Sequence, residues 1–187
     1  IIVIKSIEKQ VRILVVSQYF WPENFRINDL VKEWIRRGHE VTVLTGIPNY
    51  PDGKVFEAYL MHPQEFDEFE GVKVIRVPMT PRGAGSLRLF LNYLSFCVSA
   101  CILGPWRLRG KAADVIFVYE PSPVTVGIPA VLIGKLKKTP VVFWALDLWP
   151  DTLAAMGIIR SNRLLGIVGG MVRLIYNRCT LVLGQSK

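Results

Sequence analysis

Residues 11–45 read VRILVVSQYFWPENFRINDLVKEWIRRGHEVTVLT, and this stretch decides the class of fold. Its ends, Val11–Val16 and Glu40–Thr45, are apolar runs rich in β-branched residues, which is typical of strands buried on both faces of a sheet. Between them, apolar residues recur at helical spacing over Ile27–Ile35, and Asn24 is placed to cap that helix. A strand, a helix and a strand in this order predict a βαβ unit with parallel strands.

The rest of the chain repeats this alternation. Four further apolar runs predict strands at 72–77, 114–119, 141–146 and 180–184. The periodic segments between them predict helices at 87–108, 124–138, 151–156 and 162–178, while the connection 46–70 is expected to be mostly irregular, with a short helix around 55–61. We therefore expect an α/β, Rossmann-like fold whose doubly wound parallel sheet has about six or seven strands.

The composition excludes several classes of protein. The chain has 187 residues, of which 51% are hydrophobic and 20% charged, so it is long and apolar enough to fold as one domain around a core. Three cysteines cannot all join one closed disulfide framework, and reduced thiols are expected. A net charge of +8 with a mean hydropathy of +0.33 favours an anionic membrane surface as partner over nucleic acid.

The expected ligand site follows from the topology. In doubly wound sheets the ligand cleft lies outside the carboxyl ends of the strands, where the strand order reverses. In the usual order this point falls between the first and fourth predicted strands. We therefore expect the segments 18–26, 120–125 and 147–151 to line the cleft.

Several side chains in these segments suit a polyhydroxylated ligand. Aromatic rings stack on sugars and polar side chains bind hydroxyl groups, which predicts ligand contacts for Tyr19, Trp21, Glu23, Asn24, Arg26, Glu120 and Ser122. The rings of Tyr19 and Trp21 fit a cap on the hydrophobic core equally well. Ser122 is placed to cap the next helix, although a rigid turn between two prolines explains it nearly as well.

Asp147 is the candidate catalytic residue. It follows the otherwise apolar run Val141–Leu146, and a carboxylate at a strand end is suited to orient or deprotonate a hydroxyl group. No phosphate-binding loop is present, and Gly83–Gly85 matches a dinucleotide fingerprint only in part. Cys97 and Cys101 lack the neighbouring ligands of a metal site. We expect neither a metal nor a cofactor.

A long uncharged segment predicts contact with lipid. Residues 89–106 carry no charge and lie between Arg88 and Arg107. The segment is near the threshold length of a transmembrane helix, but a helix joining two parallel strands must pack on the sheet. Its excess apolar surface favours binding at a membrane surface, with Arg88, Trp106, Arg107 and Arg109 as the membrane-contact residues.

Several motifs, taken in order, carry a resemblance to a known family. They are QYFWPENFRINDL at 18–30, RGHEVTVLTG at 37–46, PNYP at 48–51, RVP at 76–78, LNYLSF at 91–96, PSP at 121–123, DLWP at 147–150, YNRC at 176–179 and QSK at 185–187. Together they resemble the N-terminal domain of family 4 retaining glycosyltransferases of the GT-B fold, in particular the bacterial polysaccharide group that includes WbuB and WcaI. The resemblance covers 11–187, and residues 1–10 are interpreted as an N-terminal extension.

The resemblance implies transfer of a sugar from a nucleotide-sugar to a lipid-linked saccharide, with retention of configuration and without a metal. It places such an enzyme in the cytoplasm, peripherally on the inner face of the cytoplasmic membrane. This domain is expected to bind the acceptor through the ligand contacts predicted above, with Asp147 as the catalytic residue. The C-terminal domain, which would hold the donor, is expected to be missing, so the chain alone is expected to be inactive.

Two alternatives remain open at this point. The chain fits a non-catalytic, membrane-associated fragment or module. It also fits a nucleotide-binding Rossmann domain with other chemistry, although the first βα turn, residues 17–24, contains no glycine.

Overall fold

The computed structural model describes residues 9–184, and a seven-stranded sheet forms the centre of the fold. The strands are β1 (Arg12–Ser17), β2 (Glu40–Gly46), β3 (Glu68–Phe69), β4 (Val72–Val77), β5 (Val115–Glu120), β6 (Val141–Ala145) and β7 (Leu181–Gly184). Their order is β3-β4-β2-β1-β5-β6-β7, and every neighbouring pair is parallel except β3 with β4. The predicted doubly wound sheet is confirmed, and its order reverses at β1 and β5.

Helices cover both faces of the sheet. They are α1 (Arg26–Arg36), α2 (Glu57–Met61), α3 (Ser86–Arg107), α4 (Gly127–Lys137), α5 (Asp151–Ala155) and α6 (Asn162–Tyr176). α1 packs on one face, where Ile27 and Val31 join the core, and α3, α4 and α6 pack on the other. The predicted helices are confirmed to within a few residues at their ends.

The strand β1 shows why the sheet is apolar throughout. Ile13 and Val15 point into the core beneath α1, while Leu14 and Val16 point into the core beneath α3 and α4. Successive side chains of a strand alternate between the two faces, so a strand covered on both sides must be apolar at every position. Fully burying each such side chain contributes about 1.5–3 kcal/mol relative to leaving it exposed.

The structure corrects several local predictions. Phe25, not Asn24, precedes the first residue of α1, and no side chain caps that helix. Ser122 does not cap the segment that follows it either, since Pro123 stands at that position without a side-chain hydrogen bond. The predicted helix 124–138 begins as a 3-10 turn, Val124–Val126, and α4 starts at Gly127. Pro129 therefore lies in the first turn of α4, where its missing N–H is tolerated.

The strand register brings three loops to one edge of the sheet. Ser17 pairs with Tyr119, and Glu120 pairs with Ala145, so β1, β5 and β6 end side by side. The loops that follow these strands, 18–25, 121–123 and 146–150, therefore lie next to one another at the reversal point. Residues 1–8, most of the predicted extension, and the QSK motif at 185–187 lie outside the described residues.

Candidate functional site

Asp147 lies in the turn between β6 and α5, and the end of β5 fixes this turn. The backbone N–H of Asp147 donates to Oε2 of Glu120 (3.3 Å), and the N–H of Leu146 donates to the carbonyl of Glu120 (3.1 Å). The indole N–H of Trp149 donates to Oδ2 of Asp147 (3.1 Å). Asp147 is half-buried, and within the described part of the chain its Oδ1 has no hydrogen-bond partner. The carboxylate is thus oriented by the protein and retains one oxygen for a ligand.

Glu120 is a buried acid directly behind this turn. Its side chain is 0% exposed, and Oε1 has no partner among residues 9–184. The pKa of Glu120 is raised to about 8, mainly by burial and in smaller part by the charge of Asp147, against the opposing effect of the N–H donors. Glu120 is therefore mainly neutral at pH 7. Two carboxyl groups in unlike environments lie together here, an arrangement that separates acid from base roles.

The hydroxyl group of Tyr176, at the end of α6, faces the same region. It is buried and has no hydrogen-bond partner within the described part of the chain. The pKa of Tyr176 is raised to about 12, mainly by burial and in smaller part by the charges of Glu120, Cys179 and Asp147. The phenol is therefore protonated and able to donate a hydrogen bond.

Glu23 ties the loop after β1 to the loop after β2. Its Oε1 accepts the backbone N–H groups of Asn49 (2.8 Å) and Tyr50 (2.7 Å), and its Oε2 accepts that of Phe20 (3.2 Å). The residue is 3% exposed, and burial raises its pKa to about 7 although these N–H groups and Arg76 oppose the shift. Both carboxylate oxygens already accept hydrogen bonds from the protein, so the main role of Glu23 is to hold the two loops in position. Direct binding of an acceptor by Glu23 stays a prediction.

Arg76 is a structural residue whose role the sequence did not reveal. It is buried in β4 and donates to the backbone carbonyls of Phe66 (3.2 Å), Gly46 (3.0 Å) and Trp21. Burial lowers the pKa of Arg76 to about 10, so the guanidinium stays charged at neutral pH. The only sequence signal for this role was the charge of Arg76 in a mostly apolar predicted strand, within the RVP motif. Arg76 and Glu23 together hold the loops on the β2 and β4 side of the edge.

Tyr19 belongs to a buried polar network. Its hydroxyl donates to Oδ1 of Asn92 (2.9 Å), as does Nε2 of Gln18 (2.7 Å), and Nδ2 of Asn92 donates to the carbonyl of Thr80 (2.7 Å). The ring of Tyr19 stacks on Phe25 with centroids 5.5 Å apart. Of the two interpretations of this ring, the cap on the core matches these contacts. The role of Asn92 in this network was not predicted from the sequence.

The other predicted ligand residues are dispersed along the edge. Trp21 packs on Phe66 (5.2 Å between centroids) and Phe69 (5.5 Å), at the β3 end of the sheet and separate from Asp147. Asn24 and Arg26 are exposed at the start of α1. The half-buried Ser122 has a φ of 144°, a conformation that favours glycine and is often found at functional sites. Glu120 is bonded to the Asp147 turn, and Ser122 follows Glu120 in the adjacent loop. Tyr19 and Glu23 both contact Tyr50, in the loop after β2. The ligand contacts of all these residues stay predictions.

The helix α3 has one buried and one exposed face. Among residues 9–184 it alone is long and apolar enough to cross a membrane by length and composition. Its core face carries Asn92, Phe96, Cys97, Ala100 and Gly104. Its outer face exposes Leu87, Phe90, Leu91, Leu94, Val98, Ile102 and Trp106. It joins β4 to β5 and packs on the sheet, as predicted, while membrane contact by Arg88, Trp106, Arg107 and Arg109 stays a prediction.

Residues 9–184 contain no cluster of three or more His, Cys, Asp or Glu side chains arranged to hold a metal ion.

Comparisons with known proteins identify the family. The model of the glycosyl transferase 4-like domain matches residues 24–186, and the chain belongs to this family. Among solved structures, it is similar to CalG4, the calicheamicin glycosyltransferase, with 16% identity and a TM-score of 0.56 over 91% of this chain and 43% of that one. It is also similar to Arabidopsis thaliana UGT89C1 complexed with quercetin, with 12% identity and a TM-score of 0.57 over 95% of this chain and 44% of that one.

The fold is that of the N-terminal domain of GT-B glycosyltransferases. The chain spans less than half the length of the solved structures described above. A search of curated proteins found no significant match.

Proposed function

We propose that the chain is the acceptor-binding domain of a retaining glycosyltransferase that transfers a sugar from a nucleotide-sugar to a lipid-linked saccharide. Within the family, the proposal is a WbuB- or WcaI-like enzyme of bacterial cell-surface polysaccharide synthesis. The family match supports the class of reaction, and the sequence motifs support the finer group. The chain alone is proposed to be inactive, since a further domain would hold the donor.

The observation that carries the proposal is the oriented carboxylate of Asp147 at the reversal point. The backbone N–H of Asp147 donates to Glu120, and Oδ2 of Asp147 accepts from the indole of Trp149. Oδ1 of Asp147 is left for an acceptor hydroxyl. A carboxylate in this position orients the acceptor hydroxyl group and accepts its proton while the bond between the anomeric carbon and the nucleotide phosphate breaks. The nucleotide leaves, and the new glycosidic bond forms on the same face of the sugar, which retains the configuration. Positioned acid–base groups typically accelerate such steps by about 10²–10⁴-fold.

The ligands of a structural neighbour support a nucleotide-sugar donor and a separate acceptor. Arabidopsis thaliana UGT89C1 has been solved with UDP-L-rhamnose, and that structure matches this chain with 15% identity and a TM-score of 0.53 over 95% of this chain and 43% of that one. The same protein has been solved with quercetin. For this chain we propose the acceptor at the edge formed by β1, β5 and β6, with the donor on the further domain. Neither a metal nor another cofactor is part of the proposal.

The exposed face of α3 supports a peripheral position on the inner face of the cytoplasmic membrane. Large apolar side chains lie along it, Arg88 lies near its start, and Arg107 and Arg109 follow its last apolar residue. Apolar side chains flanked by basic residues favour an interfacial helix on anionic lipid. A lipid-linked acceptor would be presented at this same surface.

The test uses the enzyme that carries this domain together with its donor-binding domain. Asp147→Asn should lower transfer of labelled sugar to extracted lipid-linked acceptor by roughly tenfold to a thousandfold, with the melting temperature unchanged. Asp67→Asn is the control, because Asp67 is an exposed carboxylate outside the segments expected to line the cleft, and it should keep full activity. Full activity of Asp147→Asn with a lowered melting temperature would show that Asp147 is structural and contradict the proposal.

A further inference from the structure

We propose that Glu120, in its protonated form, and Tyr176 act together as a positioning pair behind Asp147, joined by hydrogen bonds through one buried water molecule; this inference rests on the proposed function. In this arrangement Glu120 acts through Asp147 and not by contact with the acceptor. The pair holds the backbone of the Asp147 turn and keeps a second negative charge away from the carboxylate that binds the acceptor hydroxyl. Sugar transfer should therefore fall when Glu120 loses its proton.

The side chains of Glu120 and Tyr176 lie on the same face of the sheet. On β5, Val118 belongs to the core beneath α4 and α6, and Glu120 follows it by two residues, so both side chains point to that face. On β6, Phe143 points into the same core, and the ring of Tyr176 packs on it with centroids 5.3 Å apart. The register partner of Glu120 is Ala145, whose small side chain takes up little space between β5 and α6. The hydroxyl of Tyr176 is close enough for the charge of Glu120 to contribute to its raised pKa.

Both residues carry a buried polar atom without a partner among residues 9–184. These atoms are Oε1 of Glu120 and the hydroxyl oxygen of Tyr176, and Oγ1 of Thr125, in the 3-10 turn after β5, is a further one. Gly127, two residues after Thr125, packs against Phe143, so this turn reaches the same ring as Tyr176 does. Unsatisfied buried polar groups are unfavourable, and a buried water molecule typically makes about three hydrogen bonds to such groups. Thr125 supplies the third hydrogen bond of the bridging water.

Within residues 9–184, no cation faces Glu120 from the elements packed around it. The ionisable groups near it are the carboxyl group of Asp147 in the turn after β6, the phenol of Tyr176 and the thiol of Cys179 just beyond α6. The 3-10 turn and α4 carry no ionisable side chain before Lys135, in the last turn of α4 at the opposite end of the sheet, and β7 and the middle of α3 carry no charge. Burying a carboxylate without a cation is strongly unfavourable. The surroundings therefore favour the neutral acid, in agreement with its pKa of about 8.

The neutral form of Glu120 leaves Asp147 as the single negative charge in the turn. Oε2 of Glu120 accepts the N–H of Asp147 (3.3 Å), so the proton of the neutral acid is assigned to Oε1, on the side of the water and Tyr176. Loss of that proton would place two carboxylate charges at one turn, and neighbouring like charges disfavour the ionised form of each. The second charge also opposes the negative charge that develops on the departing nucleotide phosphate. The active form of the two acids is therefore the one that holds a single proton.

The first test measures sugar transfer against pH with the enzyme that carries this domain together with its donor-binding domain. The kcat of the wild type should fall above about pH 8, because Glu120 ionises there. Glu120→Gln is uncharged at every pH and keeps both an oxygen acceptor and a donor, so this alkaline decline should disappear. At neutral pH, Glu120→Ala should lower kcat by roughly tenfold or more while KM for the acceptor changes by less than about threefold, and Glu120→Gln should recover most of that loss.

The second test examines the partner on α6 in the 187-residue chain. Carbon-13 NMR titration of labelled glutamate side chains locates the pKa of Glu120, whose resonance is identified by its loss in Glu120→Gln. Tyr176→Phe should raise this pKa, because hydrogen bonds to a charged group are stronger than those to a neutral one and their loss costs the ionised form more. In the two-domain enzyme, the same variant should move the alkaline decline of kcat to higher pH. Tyr59→Phe is the control, since Tyr59 packs on Phe66 on the β3 side of the sheet, and it should change neither value.

The outcomes separate this inference from the proposed function. The same alkaline decline in wild type and Glu120→Gln, with transfer still dependent on Asp147, would reject the positioning pair while the function stands. Equal losses of kcat in Glu120→Gln and Glu120→Ala, or a pKa of Glu120 that Tyr176→Phe leaves unchanged, would also overturn the pair. A pKa of Glu120 that responds to Tyr176→Phe, together with full transfer by Asp147→Asn, would support the hydrogen-bonded pair and reject the proposed function.

Discussion

The buried acid Glu120 and the half-buried acid Asp147 are joined by a hydrogen bond from the backbone N–H of Asp147 to Oε2 of Glu120, at 3.3 Å. Glu120 ends β5, and Asp147 follows the neighbouring strand β6. The side chain of Glu120 thus fixes the backbone position of Asp147. Changes at Glu120 should therefore reach Asp147 without altering the carboxylate itself.

We predict that Glu120 makes folding stability depend on pH. Its pKa is raised to about 8 in the folded chain, so the folded state binds more protons than the unfolded state between the ordinary pKa of a glutamate and about pH 8. Its stabilising contribution is present at acidic pH and is lost as the pH rises, by about 1.4 kcal/mol for each pKa unit of difference.

The measurement is the free energy of unfolding of wild type and Glu120→Gln from about pH 5 to about pH 9. Glu120→Gln keeps an oxygen for the N–H of Asp147 and removes the ionisation, so its curve should fall less steeply with pH. The pKa of Glu23 is raised to about 7, so the unfolding free energy of the variant should still fall with pH, but less steeply. Identical slopes in the two proteins would mean that Glu120 is ionised in the folded state at neutral pH.

We predict that Glu23→Ala destabilises the domain by roughly 3 kcal/mol. It leaves the N–H groups of Phe20, Asn49 and Tyr50 without their acceptor, and each unsatisfied buried donor costs about 1–3 kcal/mol unless water replaces the bond. Asp52→Ala removes an exposed carboxylate from the same loop and should change stability by less than about 0.5 kcal/mol. Urea unfolding of both variants checks the difference, and equal effects would show that water takes over these bonds.

We predict that Arg76→Lys is destabilising although it keeps the charge. An ammonium group cannot reach the carbonyls of Phe66, Gly46 and Trp21 at once with the planar geometry of a guanidinium. The expected loss is about 2 kcal/mol, from two charge-assisted bonds weakened in a buried position. Lys73→Arg, at an exposed site of the same strand, is the control and should be neutral in thermal unfolding. A neutral Arg76→Lys would show that charge, not geometry, holds the loops.

We predict binding to anionic vesicles that weakens as salt is added. Basic side chains near an anionic surface are each worth about 1 kcal/mol, and this attraction is screened within a Debye length. In flotation assays, Phe90→Ser and Arg88→Gln should each lower the bound fraction, because Phe90 is exposed on α3 and Arg88 is its neighbour two residues earlier. Leu164→Ser removes an exposed apolar side chain from α6 and should have no effect. Equal binding to neutral vesicles would contradict the proposed role of the arginines.

The sequence by itself determined the layered α/β fold and the edge of the sheet where the site is formed. Ile13–Val16 is apolar at every position, and the apolar residues of Ile27–Ile35 recur at helical spacing. The secondary structure of each segment can therefore be predicted from its own residues. The alternation of such segments restricts the strand order to a few possibilities, and the usual one proved right. The two-residue strand β3, which pairs with β4, was missed because two residues carry no hydrophobic period that can be recognised.

Only the tertiary structure decided what each polar residue does. Nothing in the spacing of Glu23, Arg76 and Glu120 distinguishes a buried side chain that bonds to loop backbone from a side chain that binds a ligand. Their partners come from other strands and loops, and the register of Glu120 with Ala145 is what brings Glu120 to the N–H of Asp147. Hydrophobic periodicity is a local property of the chain, whereas the burial and bonding of a carboxyl group depend on which distant segments pack around it.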